Sequence, residues 1–525
     1  MSSRVARKSV QAVSGEDYVV VSGHRTATDA ALEIMRNRGN IVDAAIAGAA
    51  VLCAALPHAC GLGGDCFALL HYEGKTQSLN GSGRSPGRLP RDVSPDQLSS
   101  GPLSCSVPGM LGGWEALHRR HGALPWGELF HFAIDLARHG VAVSDDLAKA
   151  LEAHREALRT DPGCRRIFLA PENDSGSSRL LRQPGLAGSL EAVARRGAKA
   201  FYTDEIGRRL CQALAGRGGV LEMDDLAAYQ PIWTEPLRYR YRGLDICVPP
   251  PNSYAMLLLL QLAALSSVSL DAYAYGSPER LAFLMKAAQL AIAEGAPLLA
   301  DPQCVEAVHS ELPPPALVGR LERALIAPEE PGRRQDLPPS HGTALISVAD
   351  RRGNGITIIQ SIFTPFGSHV GDDQTGVVLN NRLLGFSTDP AAANAAAPAR
   401  RPAHTLSPAL VLEGGRLRYL LSTPGGSGQT ITLAQVLTGM VDYGQPLEDS
   451  IGSPRWSLDL QGNLLAEPEI TSRVVDAIRA SGLPVHTAES RHRFFFGSAE
   501  CIHVGEEMEL KAVADYRRDA WAGGY

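Results

Sequence analysis

Apolar and polar positions follow two rhythms along the chain. From Tyr18 onward, helical spacing alternates with short strand-like runs, and from Thr343 the period-2 pattern of strands dominates. In the first part, Tyr18–Ser22 predicts a strand, Ala27–Arg38 a helix stopped at Gly39-Asn40, and Ile41–Leu56 a second, Ala-rich buried helix. A glycine-rich turn, His58 to Phe67, leads into a strand over Phe67–Tyr72. Helices are predicted over Trp114–His121, Trp126–His139, Ser144–Ala157, Ser189–Arg196 and Asp204–Ala215. Arg238–Val248 alternates like a strand, and prolines 249–251 break it before apolar helices over Tyr254–Leu265 and Glu279–Gly295. In the second part, strands are predicted over Ala344–Ala349, Ile356–Phe363, Gly376–Leu379, Ala409–Leu412 and Leu417–Ser422, with helices near Gln429–Val441 and Ile470–Ser481.

The two parts meet in a segment of different composition. From Leu312 to Ser340, prolines stand at 313, 314, 315, 328, 331, 338 and 339 with charges between them, which is linker composition. The segment ends at Gly342-Thr343. Cleavage of that peptide bond would give Thr343 a free α-amine beside its own hydroxyl, so that one residue carries nucleophile and base. The alternative is ordinary turn chemistry ahead of a strand. Asp350 to Asn354 has hairpin-turn composition. With the turn centred on Arg352, paired residue numbers sum to 704, and Thr343 faces Ser361. Opposed side chains share a face about 5 Å apart at Cβ, so Ser361 is expected to hydrogen-bond the Thr343 hydroxyl. A one-residue slip would undo that.

Composition narrows the classes. The chain has 525 residues, 44% hydrophobic and 20% charged, with net charge −6. That describes a globular protein of two to four domains, without the basic footprint of a nucleic-acid binder. No stretch predicts a membrane span, and nine scattered cysteines without a CxxC pair fit reduced thiols in the cytoplasm. No Cys/His cluster has zinc spacing. Gly74-Lys75-Thr76 lacks the upstream glycine of a nucleotide loop, because Leu69 stands there, and it lies between strands. The Gly61–Gly64 turn is better explained by close backbone packing.

Two further segments carry candidate chemistry. Ser422-Thr423-Pro424-Gly425-Gly426-Ser427-Gly428 joins a strand to a helix. Its two glycines are placed to offer backbone N–H groups to an oxyanion, or to make a simple tight turn. Asn380-Asn381-Arg382 and Arg400 to Thr405 supply Arg382, Arg401 and His404 as candidates for a substrate carboxylate, with surface salt-bridging as the alternative.

These segments, taken with Gly39-Asn40-Ile41-Val42-Asp43-Ala44-Ala45, Gly61-Leu62-Gly63-Gly64, Ser106-Val107-Pro108-Gly109, Leu379-Asn380-Asn381, Pro424-Gly425-Gly426-Ser427 and the Ala514-to-Tyr525 tail, give a chain that resembles the γ-glutamyltransferase (glutathione hydrolase) family from about Tyr18 to Tyr525. The resemblance implies an α+β Ntn-hydrolase fold, a four-layer αββα sandwich made as a proenzyme. It implies cleavage at Gly342/Thr343 into a large subunit, 1–342, and a small subunit, 343–525, that stay together. By position, Thr343 is the nucleophile, Ser361 the second hydroxyl beside it, and Gly425 and Gly426 the oxyanion hole. No metal or cofactor is implied. The partner is a small-molecule amide, and a homo-oligomer is left open.

The departures concern substrate choice. Where glutathione-cleaving members hold the glutamyl carboxylate with an arginine, this chain has Ser82, with Arg84 two places on. The acid expected after Asn381 is absent, an expected Asn is Phe363, and the paired serines are His404 and Thr405. An unpaired buried ammonium costs about 3–5 kcal/mol. The pattern is similar to the cytosolic glutathione-hydrolase-like branch, which includes oxamate amidohydrolases. It favours a carboxylate-bearing amide without an α-ammonium, held by Arg382, Arg401, His404, Thr405, Asn381 and Arg84. The alternatives are a γ-glutamyl substrate, another acyl bond such as an oxalyl C–C bond, and an uncleaved non-catalytic relative.

Overall fold

A computed structural model describes residues 9–170, 180–304, 313–327, 342–387, 389–459, 461–489 and 495–525. Two seven-stranded sheets, with antiparallel pairing throughout, form its centre. One has the order Trp521–Gly524, Tyr18–Ser22, Gly342–Asp350, Gly355–Phe363, Asp65–Tyr72, Lys75–Gly81, Ile232–Thr234. The other runs Gln11–Gly15, Leu510–Ala514, Glu500–Val504, Arg416–Ser422, Ala409–Glu413, Leu244–Val248, Leu237–Tyr241. Val19, Val21, Leu69, Ala349, Leu410, Leu420, Ile502 and Val504 form a buried cluster drawn from both sheets. Such interdigitation of two inner faces is how stacked sheets share a core.

Helices cover both outer faces. Ile41–Ala55 is buried at every position, which its alanines permit by allowing close approach to the Gly342–Asp350 strand. Its N-terminus is fixed by a capping box between Asn40 and Asp43. Met256–Leu265, Pro278–Gly295 and Gln429–Tyr443 cover the other sheet. The result is the αββα sandwich.

Several boundaries differ from the sequence-based expectation. Arg238–Val248 is a hairpin rather than one strand, turning at Arg242 and Gly243, both with positive φ. The helix expected over Ser144–Ala157 breaks at His154 into Asp145–Ala153 and Arg155–Thr160. Within the proline-rich segment, Pro315–Ile326 is a helix, because Leu317, Leu321 and Leu325 recur every four residues and are buried together. Residues 305–312 and 328–341, which include part of the expected linker, lie outside the described residues.

Candidate active site

The central hairpin follows the expected register over most of its length: Ala344 pairs with Gln360, and Ala349 with Gly355. The register slips between Gly342 and Ala344, where Gly342 pairs with Phe363. Phe363 has φ 86, a left-handed conformation that costs a non-glycine residue about 1–3 kcal/mol and is held here by the surrounding strands. The slip corrects the expected hydroxyl pair. Ser361 donates not to Thr343 but to the carbonyl oxygen of Gly342, and it accepts the Phe363 N–H at 2.7 Å. Thr343 is 3% exposed, and its Oγ1 has no hydrogen-bond partner.

The glycine-rich turn does what close packing requires. A Cβ on Gly63 would lie 2.1 Å from the Val378 carbonyl oxygen, and one on Gly64 would lie 2.4 Å from that of Ser361. This approach brings Asn380 onto the turn. Its Nδ2 donates to the Gly63 carbonyl at 2.9 Å, and its Oδ1 accepts the Arg382 N–H at 3.0 Å. Arg382 is thereby delivered to the end of the sheet where Gly342 and Phe363 pair.

Arg382 is fully buried, with its guanidinium carbon 4.0 Å from the centre of the Phe363 ring. Its Nε lies 3.4 Å from Asp65 Oδ2, and none of its three side-chain nitrogens closes a hydrogen bond. Burial lowers its pKa to about 10, still far above neutrality. Asp65, which pairs with Ser361 across the strands, also accepts from His404 Nε2 at 3.2 Å. Its Oδ1 accepts the N–H groups of Gly83 and Gly109 at 3.2 and 3.3 Å. Asp65 was not singled out by sequence. The available signal was a carboxylate at the start of a buried strand whose next five residues, Cys66 to Leu70, are apolar.

The other candidates divide. Burial, then the Arg382 charge, lowers His404 to a pKa of about 4, so it is neutral near pH 7 and is not the cationic anchor expected. Thr405 Oγ1 is buried without a partner. Arg401 is tied to protein carbonyls: Nε donates to Ser82 at 3.2 Å and Nη2 to Gln230 at 3.1 Å, which opposes a role as carboxylate fork. Asn381 is likewise held, its Nδ2 donating to the Ser99 carbonyl at 2.7 Å and to Thr364 Oγ1 at 2.8 Å. Ser82, at the position where the family's arginine was expected, is buried and donates to Asn80 Oδ1 at 2.6 Å. Arg84 is half-buried.

Gly425 and Gly426 both have positive φ, 127 and 60, and they start the short turn that leads into the Gln429–Tyr443 helix. N–H groups at the start of such a turn have no partner within it, so they are free to meet negative charge. The strand before them is tied to the central hairpin through Ser422 Oγ, 2.8 Å from Thr357 Oγ1. Among the described residues, no group of three or more His, Cys, Asp or Glu is placed to hold a metal ion.

Two stacked antiparallel sheets between helical layers define the Ntn-hydrolase class. Residues 27–525 match the family model described as gamma-glutamyltranspeptidase. The chain is 33% identical to a glutathione hydrolase-like YwrD proenzyme of Bacillus subtilis over 98% of its length and 99% of the relative's. It is 31% identical to an oxamate amidohydrolase proenzyme of Klebsiella pneumoniae, covering 97% and 98%. A cephalosporin acylase from Bacillus halodurans superposes with a TM-score of 0.90 at 26% identity, covering 100% of this chain and 98% of that one. The chain belongs to the gamma-glutamyltranspeptidase family, and it is a hydrolase of that kind.

Proposed function

We propose that the chain is a self-processing amidohydrolase whose nucleophile is Thr343 and whose substrate is a small amide bearing a carboxylate but no α-ammonium. In maturation, Thr343 Oγ1 attacks the Gly342 carbonyl carbon, the C–N bond breaks, and the nitrogen takes the hydroxyl proton. Water then hydrolyses the ester, leaving Gly342 as a carboxylate and Thr343 with a free amine. This divides the chain into a large subunit, 1–342, and a small subunit, 343–525. In turnover the amine accepts the hydroxyl proton as Oγ1 attacks the substrate amide. The Gly425 and Gly426 N–H groups receive the oxyanion, the amine leaves protonated, and water releases the acid.

The observation that carries the substrate reading is Arg382: a buried guanidinium whose Nη1 and Nη2 have no partner, at the sheet end that holds Gly342. Two parallel donors match a carboxylate. Asp65 already accepts the Gly83 and Gly109 N–H groups and His404 Nε2, and its charge is balanced by the Arg382 ion pair, so it is not a free counter-charge for an ammonium. The name of the Klebsiella relative, oxamate amidohydrolase, agrees with this chemistry, while that of the Bacillus subtilis relative keeps γ-glutamyl amides as the second reading. Steady-state hydrolysis of oxamate and of γ-glutamyl-p-nitroanilide separates the two. The proposal expects a higher kcat/KM for oxamate, and preference for the γ-glutamyl compound would overturn it.

A further inference from the structure

We infer that Asp65 is the positioning residue of this site: its Oδ2 fixes the Nε side of the Arg382 guanidinium, so that Nη1 and Nη2 form a stationary fork for the substrate carboxylate. The inference rests on the carboxylate reading of Arg382 and assigns a role to a residue that never meets substrate.

The geometry restricts Arg382 in two ways. Phe363 lies against the guanidinium at 4.0 Å, which sets its plane, and Asp65 at 3.4 Å sets its rotation within that plane. Asp65 is itself immobile. Oδ1 is held by two backbone N–H groups from separate segments, and the residue sits in register with Ser361. His404 completes the arrangement. Its Nδ1 accepts the Leu406 N–H at 3.4 Å, so the proton of the neutral ring sits on Nε2 and points at Asp65 Oδ2. Asp65 thus takes a hydrogen bond from a neutral histidine and an ion pair from an arginine. The cluster's one positive charge is compensated before substrate arrives. Buried and unpaired, that charge would be strongly disfavoured. Paired on one side only, it keeps two donors for a second carboxylate.

The test uses the mature enzyme with oxamate and with its neutral analogue oxamide. Asp65→Asn keeps the side-chain shape and removes the charge. The expected result is a loss of oxamate-over-oxamide preference, in kcat/KM, of about 10- to 100-fold, carried mainly by the oxamate KM. Asp65→Glu, which restores the charge, recovers part of it. In an Arg382→Met background, Asp65→Asn changes the preference by less than about twofold, because the two residues act as one unit. Equal losses on both amides, or an additive loss in the Arg382→Met background, overturn the inference and make Asp65 a structural residue only. Where Asp65→Asn alone does not fold, the double variant decides. Recovery of folded protein supports Asp65 as counter-charge to Arg382, and failure of the double variant overturns it. An Arg382→Met enzyme with unchanged oxamate KM sinks the carboxylate reading itself, whatever Asp65 does.

Discussion

The hydroxyl of Ser361 donates to the carbonyl oxygen of Gly342, the oxygen of the peptide bond that precedes Thr343. A donor on that oxygen stabilises the negative charge that would form there when Thr343 Oγ1 attacks. On the proposed maturation, Ser361 would therefore serve the bond to be broken rather than the hydroxyl that would break it.

Ser361→Ala is accordingly expected to slow maturation by about 10²- to 10³-fold, the usual loss for one oxyanion donor. Ser361→Thr, which keeps a hydroxyl, is expected to mature at a rate closer to the parent. A time course of denaturing electrophoresis measures both. Equal maturation rates for Ser361→Ala and the parent would remove Ser361 from the processing step.

The Gly425 and Gly426 backbone offers a separate prediction about turnover. Gly425→Ala places a Cβ at φ 127, a conformation that L side chains rarely adopt, so the peptide must rotate and its N–H moves. A kcat loss of about 10²-fold or more with a smaller change in KM is expected on the mature enzyme. A loss confined to KM would place this turn in substrate binding instead.

Acid should weaken the fold through histidines buried in the neutral form. Burial, reinforced by neighbouring positive charge or a neighbouring histidine, lowers His404 and His369 from 6.5 to about 4, and His58 to about 3. Between the lowered value and about 6.5 the unfolded chain binds more protons than the folded one, so stability rises with pH across that window. It is fully present above about 6.5 and is lost as pH falls toward 4. Melting temperature measured from pH 7 to pH 4 should fall, and His369→Gln should flatten the decline. A melting temperature that stays level across this window would contradict the burial of these rings in the neutral state.

The hairpin shows how far sequence reasoning reached and where it stopped. Turn residues at Asp350 to Asn354 set a register that holds from Ala344 to Ala349. The slip at Gly342 has no sequence signature, because it depends on Phe363 adopting a positive φ that its side chain disfavours. The helix at Pro315–Ile326 was legible in its leucine spacing but was outweighed by the prolines around it. The local features were legible: a strand carrying Gly342-Thr343, and a positive-φ turn at Gly425-Gly426. The candidate site was illegible where partners are distant in the chain. Asp65 meets Arg382 and His404 more than 300 residues later, and only the fold brings them together.

Thr343 carries the central claim, and intact-mass measurement of the purified protein tests it most directly. The account predicts two polypeptides ending at Gly342 and beginning at Thr343 for the parent chain, and a single uncut chain without amidase activity for Thr343→Ala. A Thr343→Ala protein that still divides at 342/343, or an uncut parent chain that still hydrolyses amides, would contradict it.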